Sequence, residues 1–448
     1  MARRAPPPAL QVALELARAL GGAALFPARY VDAAFRRDAL RAEITADLGR
    51  AYPPPSSARA PTPTRALRLF VGAAETSGES HALQILGALR GRLRDAGAPD
   101  WELVGLGGER LREAGVRVVG DPVARATMGV GGALGQLPFY LGLLRDAAAE
   151  LARCDLALLV DSPALHVPLG RIARRAGARV AHFVAPQHWA WGAWRARPYA
   201  GAVDRTLALL PFEPAWFARR GVDVRHVGHP LFEALPRDVR APDDPRRTRL
   251  ALLPGSRAGV IRRNLPWMLG VLATLRARRG PIEVALAHSE ARHAELLREL
   301  VRAAGAEAWV RLEFGDLHGT LATARAAFSV SGTVLVDLLH QRLPGAVVYR
   351  LEGAGARLLY SQLYYAPWFA LPNLVAGREV LPEFAFLGDG PSEAVLAALG
   401  RALDDGDARR RTARDLEAVA AALGPPGACA RAAEALLELA QGAPETAR

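Results

Sequence analysis

Short runs that are apolar at every position alternate with amphipathic stretches along most of this chain, and the series occurs twice. From Leu67, "LRLFVG", "ELVGLG", "LALLVD", "ARVAHFVA" and "RTLALLP" are separated by helical segments such as "HALQILGALRGRLRDAG". A strand with one wet face alternates apolar and polar residues, whereas an uninterrupted apolar run means burial on both faces, as in a parallel sheet covered by helices on either side. After "RDVRAPDDPRRTR" the series restarts with "LALLPGSR", "IEVALAH", "VRLEFG", "AAFSVSGT" and "GAVVYRL". The pattern predicts two doubly wound α/β domains in tandem, over residues 65–240 and 241–448, with the junction near residues 236–247. The end of the second, from Ala408 to Gln441, reads as alanine-rich helix.

Residues 1–64 stand apart. From about Ala9 to Arg50 apolar residues recur at helical spacing, and the Pro/Ser/Thr-rich "AYPPPSSARAPTPTR" then reads as a linker. A short helical extension and a poorly ordered tail both fit. Basic residues before an apolar run resemble a secretion signal, but Glu15 and Arg18 interrupt it, so no signal peptide is expected. No other uncharged apolar run reaches transmembrane length, so membrane contact, if any, is expected to be peripheral.

Charge narrows the chemistry. The chain has 57 basic residues against 45 acidic ones, a formal charge of +12, and every basic residue is arginine. The absence of lysine excludes a lysine Schiff base and the lysine of a nucleotide-binding P-loop. The surplus suits phosphate-bearing substrates or an anionic membrane surface, although coding bias toward arginine explains it equally well. The two cysteines, Cys154 and Cys429, form no metal-ligand spacing or disulfide framework, which fits a reducing cytoplasm.

The strand-to-helix turns carry the candidate chemistry, since open α/β sheets bind ligands at the carboxyl ends of their strands. In "LALLPGSRAG", Gly255 and Ser256 offer donors at a helix start, and Arg257 adds a permanent bidentate cation. In "AAFSVSGTVLVDLL", Ser331, Gly332 and Thr333 leave room for a diphosphate, and Asp337, one turn on, can accept hydrogen bonds from ribose hydroxyls. Either turn alone is compatible with simple capping; two in one domain favour a nucleotide site. In the first domain, "RLFVGAAETSGESHALQIL" sets Glu75, Ser77 and Gly78 in such a turn. "LALLVDSPALHVP" places Asp161 directly after a buried strand, as a general base or as a cap of the next helix. "HFVAPQHWAWGAWRAR" crowds Trp189, Trp191 and Trp194 beside His188, Arg195 and Arg197, which suits sugar stacking, acyl chains, an interface or packing.

Nine segments in order, "AETSGES", "GLGGERLREAG", "VDSPALHVP", "HFVAPQHWAWGAWRAR", "ALLPFE", "VGHPL", "LPGSR", "SGTVLVD" and "LPNLVAGREVLPE", resemble the lipid-A-disaccharide synthases, glycosyltransferases of family 19 with the two-domain GT-B fold. The resemblance runs from about Leu67 to Glu383 and omits the N-terminal extension. It implies two Rossmann-like domains facing across a cleft. It also implies transfer of 2,3-diacylglucosamine from its UDP derivative to the 6-hydroxyl of 2,3-diacylglucosamine 1-phosphate, with inversion and release of UDP. No cofactor, metal or nucleic acid is implied; a cytoplasmic location at the anionic inner-membrane surface is, and a homodimer stays open.

By this resemblance Asp161 is the catalytic aspartate and Arg257, Asn373 and Glu383 bind the nucleotide. Glu75, Ser77, Gly78 and His188 then belong to the acceptor side of the cleft. Asn373 also stands out because Asn264 is the only other asparagine. The chain departs from the family pattern at Ala164 and Leu165, where Asp-Phe is usual, at Val260 for a glutamate, at Asp337 for a longer acid, and at Phe386 for a glutamine. Glu79 keeps the acid that usually follows the Ser-Gly. The alternatives are another UDP-hexosamine enzyme, an epimerase or transferase, and an inactive paralogue that binds lipid precursors.

Overall fold

The structure, a computed structural model, describes residues 6–128, 135–233, 235, 239–351 and 362–442. In the first unit, β1 (Arg68–Ala73), β2 (Glu102–Leu106), β3 (Arg117–Gly120), β4 (Leu156–Val160), β5 (Arg179–Phe183), β6 (Arg205–Ala208) and β7 (Val224–His226) form a parallel sheet. Among the described residues its order is β3-β2-β1-β4-β5-β6-β7. β4, "LALLV", is buried at every position, as its unbroken apolar run predicts. The winding reverses between β1 and β4, which pair in parallel with Ala73 opposite Val160. Their carboxyl ends therefore meet at a topological switch point, where a doubly wound sheet leaves a crevice.

The second unit repeats the design with β8 (Arg249–Leu253), β9 (Val284–His288), β10 (Val310–Phe314), β11 (Ala324–Val330), β12 (Gly345–Arg350) and β13 (Glu383–Phe386), in the order β10-β9-β8-β11-β12-β13. Its reversal falls between β8 and β11, with Leu253 opposite Ser329. β3, β7 and β13 are strands that hydropathy did not signal. Each is only three or four residues long and lies at a sheet edge, so none carries the unbroken apolar run of a central strand.

The unit boundaries differ from those expected. The first unit comprises Met1–Leu40, Tyr52–Pro230 and Gly424–Arg448, and the second Arg41–Ala51 and Leu231–Leu423. Residue 236, at the start of the expected junction, lies outside the described residues. The alanine-rich C-terminus is two helices, Gly406–Leu423 and Ala428–Gln441, parted by Gly424–Gly427, with both glycines at positive φ. The second helix belongs to the first unit, not the second. Its Ala432, Ala433, Leu436 and Leu437 are buried in one core with Ile85, Leu86 and Leu89 of helix Thr76–Asp95, because alanines let the backbones approach closely. Glu434 locks the contact, accepting from the backbone N–H of Ala60 at 2.8 Å and from the guanidinium of Arg92.

The extension is ordered into helices Pro8–Ala24, Phe26–Phe35 and Arg37–Asp47. Its end is clamped to the second unit through two glycines at positive φ: a Cβ on Gly49 would sit 2.5 Å from the Ala376 carbonyl oxygen, and one on Gly377 2.7 Å from the Gly49 nitrogen.

Candidate functional site

At the switch point of the second sheet, the turns after β8 and β11 line one cavity of about 510 Å³. Gly255, Ser256 and Arg257 form one wall, and Ser331, Gly332, Thr333 and Asp337 another. The first turn requires glycine: Gly255 has φ +104°, and a Cβ there would lie 2.5 Å from Val260 Cγ1. Arg257 is the N-cap residue of the 22-residue helix Ala258–Arg279, so unpaired backbone N–H groups and the positive end of a long helix face this turn. Its side chain is exposed and forms no ion pair among the described residues. Such a wall is arranged to take an anion.

Asp337, half-buried, supplies the opposite character. Burial raises its pKa, a tendency offset in part by His318, whose Nδ1 lies 3.7 Å from Asp337 Oδ1. The carboxylate can accept from ligand hydroxyls. Two polar lining residues escaped the sequence reading, His288 and Ser289, at and after the end of β9. His288 accepts the Glu290 N–H at Nδ1 (2.9 Å), its Nε2 is buried without a partner, and burial lowers its pKa. The available signal was position alone, since "IEVALAH" ends a predicted strand in histidine. Val260, where the family pattern has a glutamate, also lines the cavity.

Asn373 and Glu383 are not brought to this cavity. Asn373 is fully buried and its amide is saturated: Nδ2 donates to the Leu381 carbonyl (2.7 Å) and Glu383 Oε2 (2.9 Å), while Oδ1 accepts from the N–H groups of Val380 (2.7 Å) and Leu381 (2.9 Å). Glu383 also accepts the N–H groups of Phe369 (2.9 Å) and Ala370 (2.8 Å), and burial pushes its pKa up to about 7 despite these bonds. The pair braces the start of helix Leu371–Ala376, so in this structure both residues work on the backbone. Phe386, which replaces the family's glutamine, packs against Trp267 at a ring separation of 4.6 Å.

In the first unit, Asp161 directly follows β4 at the switch point, half-buried. The capping alternative is not what the structure holds: the N-cap of helix Pro163–Ala176 is Ser162, and no hydrogen bond reaches the Asp161 carboxylate among the described residues. Its backbone is in the left-handed region (φ +55°), as are Ser162 (φ +44°) and, at the end of neighbouring β5, Val184 (φ +72°). A β-branched residue at positive φ is a true outlier, and such strain persists only where surrounding contacts over-determine it.

Two buried histidines supply such contacts to Asp161. His166 Nδ1 and His182 Nε2 both donate to the Asp161 carbonyl, at 2.6 and 2.9 Å. His182 Nδ1 in turn meets the Tyr199 hydroxyl at 2.8 Å, and that hydroxyl meets Thr206 Oγ1 at 2.6 Å. Burial, reinforced by His182, drops the His166 pKa to about 3, and burial lowers that of His182 too, so both rings stay neutral and hold the peptide as dipoles.

The "AETSGES" turn ends neighbouring β1. Glu75 is the extended N-cap residue of helix Thr76–Asp95, and it and Ser77 are exposed, while Gly78 is buried 3.5 Å (from an added Cβ) from the Val160 carbonyl oxygen beside Asp161. These residues therefore share one strand-end region with Asp161. Glu79 turns inward and accepts the N–H groups of Gly108 (2.9 Å) and Leu111 (3.1 Å), so that acid is an architectural tie.

His188, expected on the acceptor side of the cleft, lies inside the first unit. It is 6% exposed, packed edge-on to Tyr199, and burial lowers its pKa to about 3. The tryptophans separate: Trp189 is in the core, donating to Glu213 at 3.0 Å, and Trp191 is exposed with the Arg195 guanidinium stacked 3.8 Å from its ring.

The profile of the lipid-A-disaccharide synthetase family matches residues 69–438. A lipid-A-disaccharide synthase of Myxococcus xanthus is 34% identical over 386 residues, covering 83% of this chain and 97% of that protein. Those of Syntrophus aciditrophicus and Pseudomonas aeruginosa are each 32% identical, with 97% and 98% of their lengths covered. Among solved structures, a putative UDP-N-acetylglucosamine 2-epimerase from Listeria monocytogenes superposes with a TM-score of 0.51 at 13% identity, over 78% of this chain and 91% of that one. S. aureus MnaA, solved with UDP, gives 0.51 at 11% identity, over 81% and 94%. At such identities these two bear on the fold alone. The profile begins at residue 69, so the helical extension lies outside it.

Proposed function

The chain belongs to the lipid-A-disaccharide synthase family, with the GT-B fold, and is a glycosyltransferase that forms the lipid A disaccharide; from that premise we propose which substrates it joins and which residues do so. The donor is UDP-2,3-diacylglucosamine, the acceptor is 2,3-diacylglucosamine 1-phosphate, and the products are the disaccharide 1-phosphate and UDP. One observation carries the placement of the donor: the small-residue turns after β8 and β11, with Asp337, line a single cavity whose volume suits a nucleotide. Arg257 and the N-terminus of helix Ala258–Arg279 take the diphosphate, and Asp337 takes the ribose hydroxyls.

The transfer is inverting. The acceptor 6-hydroxyl loses its proton to Asp161 as its oxygen attacks the donor anomeric carbon, and the anomeric C–O bond to the diphosphate breaks on the opposite face. UDP leaves with the bonding pair, and Arg257 balances the charge that develops on it. Three features support Asp161 as the base: a carboxylate without a hydrogen bond among the described residues, a strained strand-end backbone, and a carbonyl fixed by two neutral histidines.

Mass spectrometry of products after mixing the protein with both acylated precursors tests the reading. A disaccharide 1-phosphate that depends on both precursors is expected. Turnover of soluble UDP-N-acetylglucosamine, with none of the acylated donor, would point instead to a different UDP-hexosamine enzyme, and absence of any product to a binding paralogue.

A further inference from the structure

The first helix of the extension is inside-out for a water-exposed segment, and the second leaves its large apolar side chains uncovered. In Pro8–Ala24 the buried residues are polar: Gln11 is 0% and Glu15 4% exposed. Glu15 is held by Arg171 and Arg175 of helix Pro163–Ala176, through 2.8 Å bonds from Arg171 Nε and from an Arg175 terminal nitrogen, and Gln11 accepts from Arg175 Nε at 3.1 Å. The apolar side chains point the other way. Leu20 is 64% and Phe35 86% exposed, and Leu25, Phe26 and Val31 are each between 42% and 52%. A helix on a protein in water buries its apolar stripe and wets its polar one. Reversal of that order is the arrangement of a surface that meets something apolar.

We propose that this face docks on an anionic lipid bilayer, lying in the interface. Three observations favour lipid. In the sequence, Arg3 and Arg4 precede the apolar pair of helices and Arg36 and Arg37 follow it, so cations bracket the apolar stretch. A groove lined by Gly22, Ala23, Phe26, Arg29, Trp194 and Arg195 joins the helices to the exposed Trp191–Arg195 stack, and Trp with Arg is the pairing that settles at headgroup depth. Taken together, Pro8–Ala24 and Phe26–Phe35 also have the length and apolarity of a membrane segment, though bent by 50°. Spanning would tear Glu15 from its two arginines, so the pair lies flat, its polar face on the protein and its apolar face in lipid. The proposal does not rest on Asp161 or on the nucleotide cavity.

Flotation of the full chain with vesicles of phosphatidylcholine mixed with phosphatidylglycerol tests it, beside a variant carrying Leu20→Ser, Val31→Ser and Phe35→Ser. The wild type floats at low salt and less so on pure phosphatidylcholine. The variant keeps its melting temperature and loses at least about tenfold in partition coefficient, since each change removes apolar surface from the interface. Equal flotation of variant and wild type, or no flotation of the wild type, overturns the proposal. So does a variant that turns a dimer into a monomer while its flotation is unchanged, because the face would then join two copies of the chain.

Discussion

Replacing Asp161 by asparagine separates chemistry from architecture more cleanly here than at most candidate bases. The residue sits at φ +55°, a conformation that asparagine and aspartate tolerate better than other side chains with a Cβ. The Asp161 carbonyl, which His166 and His182 grip, is unchanged by the substitution. The carboxylate has no hydrogen bond to lose among the described residues, and the helix cap is Ser162. Asp161→Asn is therefore expected to leave the melting temperature within about 1 °C of wild type. A general base contributes roughly 10²- to 10⁴-fold in rate, so kcat should fall by at least about 10²-fold, with UDP affinity unchanged. Asp161→Ala loses the same rate and adds the strain of an alanine in the left-handed region, about 1 kcal/mol, or roughly 2–4 °C for a unit of this size. Turnover of the acylated substrates, UDP calorimetry and thermal melting on both variants read all three quantities. Near-normal kcat in Asp161→Asn would refute the assignment, and a large fall in its melting temperature would show that the carboxylate carries structure after all.

Arg257→Ala should raise the Kd for UDP roughly 10- to 100-fold by calorimetry, the range for one charge-assisted hydrogen bond, and unchanged affinity would remove it from the diphosphate. Gly255→Ala forces a methyl group toward Val260 and strains the turn, so UDP affinity is expected to fall with a stability loss of about 1–3 kcal/mol; a variant that binds and melts like wild type would show the turn to be slack. Glu15→Ala leaves Arg171 and Arg175 without their shared anion and should cost about 1–3 kcal/mol, read as faster hydrogen exchange over residues 8–35. The same contact sets a pH dependence. Burial alone would raise the Glu15 pKa, but the bonds from Arg171 and Arg175 outweigh it and hold the carboxyl below its ordinary 4.5. A depressed acid adds stability above its unfolded pKa and loses it as pH falls through the folded value, so protection of the extension against exchange, taken relative to the intrinsic amide rate at each pH, should fall only below about pH 4.5; protection unchanged on that acid limb would contradict the pairing.

Much of the candidate site is legible in the sequence. Gly255, Ser256, Arg257, Ser331, Gly332, Thr333 and Asp337 were singled out from two short turns, and the structure lines one cavity with all of them. The reason is local: a turn between a buried strand and a helix must sit at the strand's carboxyl end, and the reversal of winding brings two such ends together. His288 was not legible, because nothing in "IEVALAH" separates a histidine that ends a strand beside the cavity from one that ends it elsewhere. The burial of His188 was not legible either, because a run of neighbouring tryptophans does not announce that the ring packs edge-on to Tyr199.

The sequence by itself determined the class of the fold and the family, because unbroken apolar runs at sheet spacing admit little else and the nine ordered segments carry their residue types in one dimension. Only the tertiary structure decided where shared segments belong and what a polar residue faces. The alanine-rich last helix joined the first unit because its small residues match the surface of Thr76–Asp95, a complementarity between segments hundreds of positions apart. Asn373 met the backbone of Val380 and Leu381 instead of the cavity, although its rarity marked it out. Glu15 and Gln11 turned inward and Leu20 and Phe35 outward, which no hydropathy pattern reveals: the pattern fixes the two faces of a helix, and only the partner, here Arg171 and Arg175, selects which face is buried.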